Sequence, residues 1–327
     1  MRVLHVTNAW PTARQPIKGV FVQEQVESLR RAGIDCDVLA IDTDQRRWRA
    51  YADALRALRR RQGDYDLVHC HHIYTILIGL FVVPRARLIG SFMNDGRHNI
   101  KGRLAPLGAP TFALATTLLR WQIHKARLPS GADSAYVRCI PNGVDTDHFA
   151  IVDRGEARRA LGLDPEADYA LCVSANSLRP EKRYDLFNAA LERLAAQGTV
   201  LQPLVLSAEP RERVPLYFAA ARIHLLVSDF EGSPNSVREA LACGTPVVAR
   251  DVGGVRHIID GIDGCAATGD DPGAIADAAM IVLARRDTED ERVALRQAVI
   301  DRGFTLDGVA RRIAALYEEV NGAVGRE

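Results

Sequence analysis

The segment HLLVSDFEGSPNSVREALACGTPVVA, residues 224–249, decides the fold. One apolar run ends at Val227, and a second apolar run begins at Pro246. Between them lie a polar loop and a stretch with apolar residues at helical spacing. A strand, a loop, a helix and a second strand in this order predict a unit of a parallel sheet.

The same alternation extends outward in both directions and predicts an α/β protein with helices on both faces of its sheets. The boundaries of the predicted elements follow from the apolar periodicity and from Gly and Pro punctuation. Strands are predicted at 3–7, 36–41, 66–70, 88–92, 169–173, 204–206, 224–227 and 246–249. Helices are predicted at 20–31, 46–61, 73–83, 104–128, 182–196, 214–220, 234–243, 272–283 and 306–320.

The chain has 327 residues, a length that suits two domains. The turn-forming run Ile140-Pro141-Asn142-Gly143 interrupts the alternation, which predicts a boundary between domains 1–144 and 145–305. The last segment, 306–327, is predicted to form an amphipathic helix. Two doubly wound, Rossmann-like domains in series bind ligands at the carboxyl ends of their strands, in a central cleft.

Charge is distributed unevenly along the chain. Residues 1–150 carry 21 Lys and Arg against 13 Asp and Glu, while the remainder carries 21 against 28. The basic half suits anionic lipid, an anionic acceptor or a polyphosphate, although ordinary solvated surface charge explains it equally well. The basic stretch 46–61 fits either contact with an anionic membrane or a surface helix. No aromatic-interleaved basic run or nucleic-acid motif is present, so nucleic acid is disfavoured as a partner.

The cysteine pattern is typical of a reducing compartment. The six cysteines form no CxxC pair, and most lie in apolar runs. The chain enters its first strand directly after Met1, which does not resemble a signal peptide. The longest apolar run, 73–83, is too short to cross a bilayer. These features predict a cytoplasmic location, with the inner face of the cell membrane as an alternative site of action.

The polar loop of the opening segment carries the candidate chemistry. Pro234 suits the first position of a helix and Ser233 suits the cap before it, so the N–H groups at this helix start predict an anion site. Glu231 in the loop can reach sugar hydroxyls, and Glu239 in the helix can accept hydrogen bonds from a vicinal diol. A structural interpretation stays open, because Ser236 and Glu239 also fit a capping box.

This segment resembles the signature of glycosyltransferase family 4, a large retaining family with the GT-B fold. The resemblance rests on Glu231, seven intervening residues, Glu239, and the following Ala-Cys-Gly-Thr-Pro-Val-Val run. Further matching motifs extend over nearly the whole chain. Their sequences are most similar to those of the branch that builds teichuronic acid and other cell-surface polysaccharides. The other motifs are Gly19 with the helix after it, Val68-His69-Cys70-His71, Ile140 to Phe149, Arg179 to Lys182, and Val252-Gly253-Gly254-Val255.

The resemblance implies a metal-independent transferase that uses a nucleoside-diphosphate sugar and needs no cofactor. It implies that Glu231 contacts the donor sugar, Glu239 binds the ribose, and Lys182 and Arg179 hold the diphosphate. The 145–305 domain would bind the donor, and the 1–144 domain would bind a glycan or lipid-linked acceptor. The final helix would pack back on the first domain. The remaining implied site residues are Asp95 as an acidic catalytic residue, Gly19 at the acceptor or phosphate loop, and the donor loop Gly232, Ser233, Pro234, Asn235 and Ser236.

Two departures from the family pattern keep other functions open. Phe92 stands where many members carry a histidine, and Ala175-Asn176 replaces a Gly-Arg pair. A non-catalytic nucleotide-sugar binding protein and a GT-B epimerase or phosphorylase are therefore alternatives. His69 and His71 alternate along one strand, but the sequence lacks an acidic or cysteine cluster at metal spacing, so hydrogen-bonding or packing roles are favoured. A dinucleotide-dependent dehydrogenase is disfavoured, since no GxGxxG follows the first strand.

Overall fold

A computed structural model describes residues 1–92, 121–124, 137–173, 179–285 and 287–324. These residues form two compact units, Met1–Gly143 with Leu306–Glu327 and Val144–Thr305, called here unit 1 and unit 2. The predicted catalytic acid Asp95 and the departure at Ala175-Asn176 lie outside the described residues. No described helix is long and apolar enough to cross a membrane.

Unit 1 is built on a parallel sheet whose described strands run in the order β2-β1-β3-β4-β5-β6. Its central strands are buried on both faces and its helices pack against them, as expected for a doubly wound sheet. The strands are β1 (Arg2–Thr7), β2 (Asp35–Ala40), β3 (Leu67–His71), β4 (Leu88–Phe92), β5 (Trp121–His124) and β6 (Val137–Cys139). The helices include α1 (Val20–Arg31), α2 (Thr43–Arg61), α3 (Ile73–Val82) and the C-terminal α11 (Leu306–Val324).

The C-terminal helix α11 belongs to the core of unit 1. Val309, Ile313 and Tyr317 are buried in one apolar cluster with Val26 and Leu29 of α1. The helix packs against α1 through this apolar stripe, which the 3.6-residue period of its sequence creates. Unit 1 is therefore closed by a segment that lies far from the rest of it in the chain.

Unit 2 contains a second parallel sheet, with the described strands in the order β11-β10-β9-β7-β8. In chain order this is the 2-1-3-4-5 arrangement of one common doubly wound fold. Its strands are β7 (Tyr169–Val173), β8 (Gln202–Leu206), β9 (Ile223–Leu226), β10 (Val247–Arg250) and β11 (Cys265–Thr268). Its helices include α4 (Arg154–Leu161), α5 (Tyr184–Ala196), α6 (Val214–Ala220), α7 (Asn235–Ala242), α8 (Val255–Ile259), α9 (Pro272–Leu283) and α10 (Glu289–Asp301).

One predicted element was wrong in kind. A helix was predicted at 104–128, but Trp121–His124 within that range forms strand β5, between β4 and β6. A short apolar run fits a buried strand as well as a helix, and pairing with two neighbouring strands decides between them here. The rest of that prediction lies outside the described residues.

Two helix starts in unit 2 also differ from prediction. Lys182 does not begin a helix: it ends a 3-10 turn, Pro180–Lys182, and α5 begins at Tyr184. Arg183 separates them with a φ of +49°, a left-handed conformation that no continuous helix contains. Helix α7 begins at Asn235 rather than at Pro234.

Candidate functional site

The candidate site of unit 2 lies where the strand order reverses. β7 and β9 are neighbours in the sheet, and the chain leaves them toward opposite sides, which opens a crevice at their carboxyl ends. The turn Pro180–Lys182 follows β7 in the chain, and the loop 227–234 follows β9. The predicted donor residues therefore fall on both sides of one topological switch point.

The structure brings Lys182 and Glu231 together. The Lys182 Nζ donates a hydrogen bond of 2.7 Å to Glu231 Oε1, and both side chains are only 16% exposed. The turn and the loop are tied by their backbones, since the Asp229 N–H donates to the Glu181 carbonyl at 2.9 Å. Arg183 adds a 3.0 Å ion pair to Asp229. Residues 49 positions apart in the chain thus form one shielded ion pair beside the crevice.

A glycine fixes the backbone at Glu231. Gly253 has a φ of +54°, and a Cβ there would lie 2.1 Å from the Glu231 carbonyl oxygen and 2.4 Å from that of Gly232. The next residue, Gly254, donates its N–H to the Gly232 carbonyl at 2.7 Å. The loop after β10 therefore supports the Glu231–Gly232 backbone through direct contact, which only glycine at position 253 permits.

The start of α7 is built differently from the predicted cap. The cap position is Pro234, whose side chain makes no capping hydrogen bond. Ser233 instead accepts a 2.7 Å hydrogen bond from Arg238 Nη1 through its hydroxyl oxygen. Asn235 Oδ1 accepts a 2.8 Å bond from Arg238 Nη2. The prediction that Ser233 caps the helix was wrong, because a buried guanidinium takes its oxygen.

Ser236 is held from behind by a buried histidine. His224 Nδ1 donates to the Leu171 carbonyl at 3.0 Å, and its Nε2 lies 3.2 Å from Ser236 Oγ. Burial lowers the pKa of His224 from 6.5 to about 4; the hydrogen bond to Leu171 opposes this shift, and the charge of nearby Lys182 contributes to it. The ring is therefore neutral, and its Nε2 accepts a hydrogen bond from the Ser236 hydroxyl. The capping-box interpretation was wrong: Ser236 lies inside α7 and its hydroxyl serves His224.

Glu239 has an ionic partner that the sequence did not suggest. Arg211 Nη1 lies 3.6 Å from Glu239 Oε1, and the guanidinium carbon lies 5.0 Å from the centre of the buried Phe149 ring. The His148 Nε2 adds a 3.1 Å contact to the Arg211 carbonyl. The only signal in the sequence was an arginine shortly after β8, at a carboxyl end like those that carry the other site residues.

Arg179 lies apart from the Lys182–Glu231 pair. Its Nε donates to Glu181 Oε1 at 2.5 Å, and its side chain is 45% exposed. The pKa of Glu181 is lowered; burial opposes this shift, and hydrogen bonds from its own backbone N–H and from Arg179 drive it. A guanidinium engaged with a neighbouring carboxylate two residues away differs from the predicted diphosphate clamp. Its role in anion binding stays a prediction.

In unit 1, the loop before α1 shows why position 19 is glycine. Gly19 has a φ of +73°, and a Cβ there would lie 2.1 Å from the Ala9 carbonyl oxygen. Its carbonyl accepts the N–H of Val22 and starts the helix. Phe92, which replaces the family histidine, is 2% exposed and packs in an apolar cluster. It is a core residue.

Three histidines of unit 1 form a buried cluster at the centre of the sheet. His5 Nδ1 and His71 Nε2 are 2.9 Å apart, and His69 contacts Tyr317 Oη at 2.5 Å and Ser91 Oγ at 2.8 Å. One nitrogen from each of the three rings lies within 4.8 Å of the others, so this cluster is the candidate metal centre of the described residues. No carboxylate or thiol belongs to it, and its hydrogen bonds support the predicted bonding and packing roles.

Comparisons with known proteins place this site in context. Residues 179–285 match the family profile described as "Glycosyl transferases group 1". The chain is 31% identical over 310 residues to a D-inositol 3-phosphate glycosyltransferase of Geodermatophilus obscurus, covering 82% of this chain and 65% of the relative. It is 26% identical over 333 residues to a protein of Bacillus subtilis named as a teichuronic acid biosynthesis glycosyltransferase, TuaC, covering 79% and 83%.

The fold has solved counterparts at lower identity. The structure of Anabaena Alr3699/HepE in complex with UDP and glucose has a TM-score of 0.69 at 14% identity, covering 98% of this chain and 100% of that one. A likeness at this identity establishes the two-unit GT-B fold. The chain spans just under two thirds of the first relative and more of the second.

Proposed function

We propose that this chain, whose residues 179–285 match the glycosyl transferases group 1 family, transfers a sugar from a nucleoside-diphosphate sugar to a glycan or lipid-linked acceptor. The observation that carries the proposal is the 2.7 Å pair of Lys182 and Glu231 beside the start of α7. A cation for phosphate, a carboxylate for hydroxyls and a helix N-terminus for an anion meet at one switch point.

The transfer breaks the bond between the sugar C1 and the β-phosphate oxygen, and the electron pair leaves with that oxygen. Negative charge grows on the departing diphosphate, where the Lys182 ammonium and the N–H groups at the start of α7 stabilise it. Glu231, which pairs with Lys182 in this structure, accepts hydrogen bonds from hydroxyls of the donor sugar when the donor binds. We infer that these groups replace the metal ion that other transferases use.

The acceptor hydroxyl forms the new bond to C1 on the face that the diphosphate leaves, and its proton passes to the departing phosphate oxygen. This course retains the configuration at C1. Glu239 accepts hydrogen bonds from the two ribose hydroxyls. Arg211 moves away from Glu239 when the nucleotide binds.

The choice of donor and acceptor follows from analogy with the similar proteins described above. UDP-sugars are the first donors to test, since the HepE structure holds UDP and glucose. We assign the acceptor to unit 1, with Gly19 and Asp95 as its predicted contacts. Polysaccharide precursors at the inner face of the membrane are the predicted acceptors, following the name of the Bacillus subtilis relative.

A binding protein without transfer activity is the second candidate, and the observation that favours it is Phe92. This side chain is buried in the core, so residue 92 offers no polar group to a sugar. Such a protein would bind the donor and release no sugar with any acceptor. A GT-B nucleotide-sugar epimerase is distinguished by its product, an epimeric nucleotide sugar formed without an acceptor.

The test uses the slow hydrolysis that a transferase performs when water replaces the acceptor. The purified chain is incubated with UDP-, GDP- and ADP-glucose in EDTA and, separately, in Mg²⁺, and the released sugar is followed by proton NMR. We expect the first-formed anomer to be the α form of the donor, at equal rates in both buffers. First formation of the β anomer would refute retention, and a requirement for Mg²⁺ would refute metal independence.

A further inference from the structure

We propose that Arg238 is a positioning residue, which orients loop 231–235 so that it presents hydrogen-bond donors to the diphosphate. The negative charge of the bound diphosphate balances the buried positive charge of Arg238. This inference rests on the proposed function, since it assigns a role within the donor site. Arg238 does not contact the reacting atoms in this view. It acts through Ser233 and Asn235.

Arg238 is an unusual arginine because it is fully buried. Its exposure is 0%, and it is the largest fully buried side chain among the described residues. Burial lowers the pKa of its guanidinium to about 10, with Glu239 acting in the opposite direction. It therefore stays charged at neutral pH. A buried charge of this kind costs several kcal/mol unless an opposite charge or hydrogen bonds compensate it (order of magnitude).

Neutral oxygens compensate it in part. The Arg238 guanidinium donates to Ser233 Oγ at 2.7 Å, to the Ser233 carbonyl at 3.1 Å and to Asn235 Oδ1 at 2.8 Å. Its Nε has no hydrogen-bond partner within the described part of the chain. Its hydrogen bonds among the described residues go to the neutral oxygens of Ser233 and Asn235. The positive charge is thus solvated by dipoles, and Glu239 acts on it without a direct hydrogen bond.

The same hydrogen bonds determine which atoms of Ser233 and Asn235 act as donors and which as acceptors. A serine hydroxyl that accepts from a guanidinium has its own hydrogen left to donate elsewhere. An asparagine whose Oδ1 faces a guanidinium turns its NH₂ group to the opposite side. Arg238 therefore leaves the Ser233 hydroxyl as a hydrogen-bond donor toward a group that approaches the start of α7, and it holds the Asn235 side chain in place through Oδ1. Donors in this arrangement suit phosphate oxygens and do not suit a cation.

The charges around the loop agree with an anionic ligand. Lys182 is paired with Glu231, and Arg211 with Glu239, so each of these pairs is close to neutral. Arg238 adds one positive charge without a carboxylate of its own. A diphosphate arriving at the start of α7 supplies the missing negative charge, where a neutral nucleoside supplies none.

Arg158 provides a matched control in the same unit. It is 5% exposed and also donates to backbone carbonyls, those of Ala220 and Pro165. It differs in having a carboxylate partner, Asp168, at 3.1 Å. None of these three partners belongs to loop 231–235. The Arg158→Met variant therefore measures the effect of losing a buried arginine in general. The Arg238→Met variant measures, in addition, the effect of losing the positive charge behind loop 231–235.

The experiment measures binding of UDP, GDP and ADP, and of uridine, guanosine and adenosine, by calorimetry. It compares the wild type with Arg238→Met, Arg238→Lys and Arg158→Met. For the diphosphate that binds the wild type, we expect Arg238→Met to weaken binding by about 30-fold or more. Binding of the parent nucleoside should change by less than about 3-fold. Arg238→Lys, which keeps the charge, should lie between wild type and Arg238→Met for the diphosphate.

The outcomes separate the inference from the proposed function. If no diphosphate binds the wild type, the proposed function fails and takes the inference with it. If the wild type binds and Arg238→Met binds diphosphate as tightly, the inference alone is overturned. Equal losses for diphosphate and nucleoside, or an equal loss in Arg158→Met, also overturn it, because a merely structural role predicts them. Should Arg238→Met fail to fold, the double variant Ser233→Ala/Asn235→Asp must show the selective loss of diphosphate.

Discussion

Replacing Gly253 by alanine tests how closely the site depends on its supporting loop. A Cβ at this position would lie 2.1 Å from the Glu231 carbonyl oxygen, inside the 3.0 Å limit of real contacts. The Glu231 backbone must therefore retreat by about 0.9 Å or more, the difference between the two distances. A displacement of about 1 Å at a positioning group costs on the order of 100-fold in rate.

Gly253→Ala carries a second cost, because its φ of +54° is left-handed. That strain costs about 1–2 kcal/mol for a residue with a Cβ. Two other glycines of unit 2 separate strain from contact. Gly198 has a φ of +89° and nothing within 4 Å of an added Cβ, so Gly198→Ala measures strain alone. Gly254 has an ordinary φ of −88°, and its nearest atom would be 3.3 Å away.

The assay is the rate of donor hydrolysis, measured with the unfolding free energy of each variant. We expect Gly253→Ala to lose roughly 100-fold in rate. Its loss of stability should exceed that of Gly198→Ala, which retains its rate, while Gly254→Ala keeps most of both. The reasoning is refuted if Gly253→Ala hydrolyses the donor as fast as Gly254→Ala.

Three further outcomes are expected. Glu239→Ala should weaken nucleotide binding by about 10-fold or more, and it should bind 2′-deoxynucleotides and ribonucleotides equally; a remaining preference for ribose in calorimetry would contradict the role of Glu239. The folded pKa of His224 is about 4 against 6.5, so its contribution is complete above pH 6.5 and declines as the pH falls toward 4. Wild type should therefore lose roughly 2 kcal/mol more than His224→Gln between pH 7 and pH 5 in urea unfolding, and equal losses would refute this. Gly19→Ala should cost unit 1 more than about 2 kcal/mol through the clash with Ala9, whereas Gly33→Ala, left-handed but unobstructed, should cost less; denaturation curves that coincide would argue against the clash.

The sequence predicted most of the fold because its period-2 and 3.6-residue patterns are strong. The parallel sheets and most of their helices follow from that alternation, whereas the helices Arg154–Leu161, Val255–Ile259 and Glu289–Asp301 were not predicted. The GT-B class follows from the family resemblance of the motif with Glu231 and Glu239. The pattern was insufficient at Trp121–His124, where four residues take their conformation from the strands beside them. It was also insufficient at Lys182, where Arg183 adopts a left-handed conformation that no local preference indicates.

The sequence suggested candidate residues for the site but not the bonds that those residues make. Lys182 and Glu231 were both predicted, and the structure shows that they pair directly. Arg211 and Arg238 were missed because their importance comes from partners that only the tertiary structure provides. A buried arginine within a helical motif has the same sequence signal as an exposed one. Asp95 stays a prediction from the family resemblance.

The central claim is that unit 2 binds a nucleoside-diphosphate sugar through Lys182, Glu231 and Glu239. The most direct measurement is a thermal-shift titration with UDP, GDP, ADP and their glucose derivatives in EDTA, on wild type, Lys182→Ala and Glu239→Ala. A ligand at about one hundred times its dissociation constant stabilises the fold by roughly 2.7 kcal/mol. The account predicts that one base raises the wild-type melting temperature and that both variants lose this response. No shift at millimolar ligand, or an undiminished shift in both variants, would contradict it.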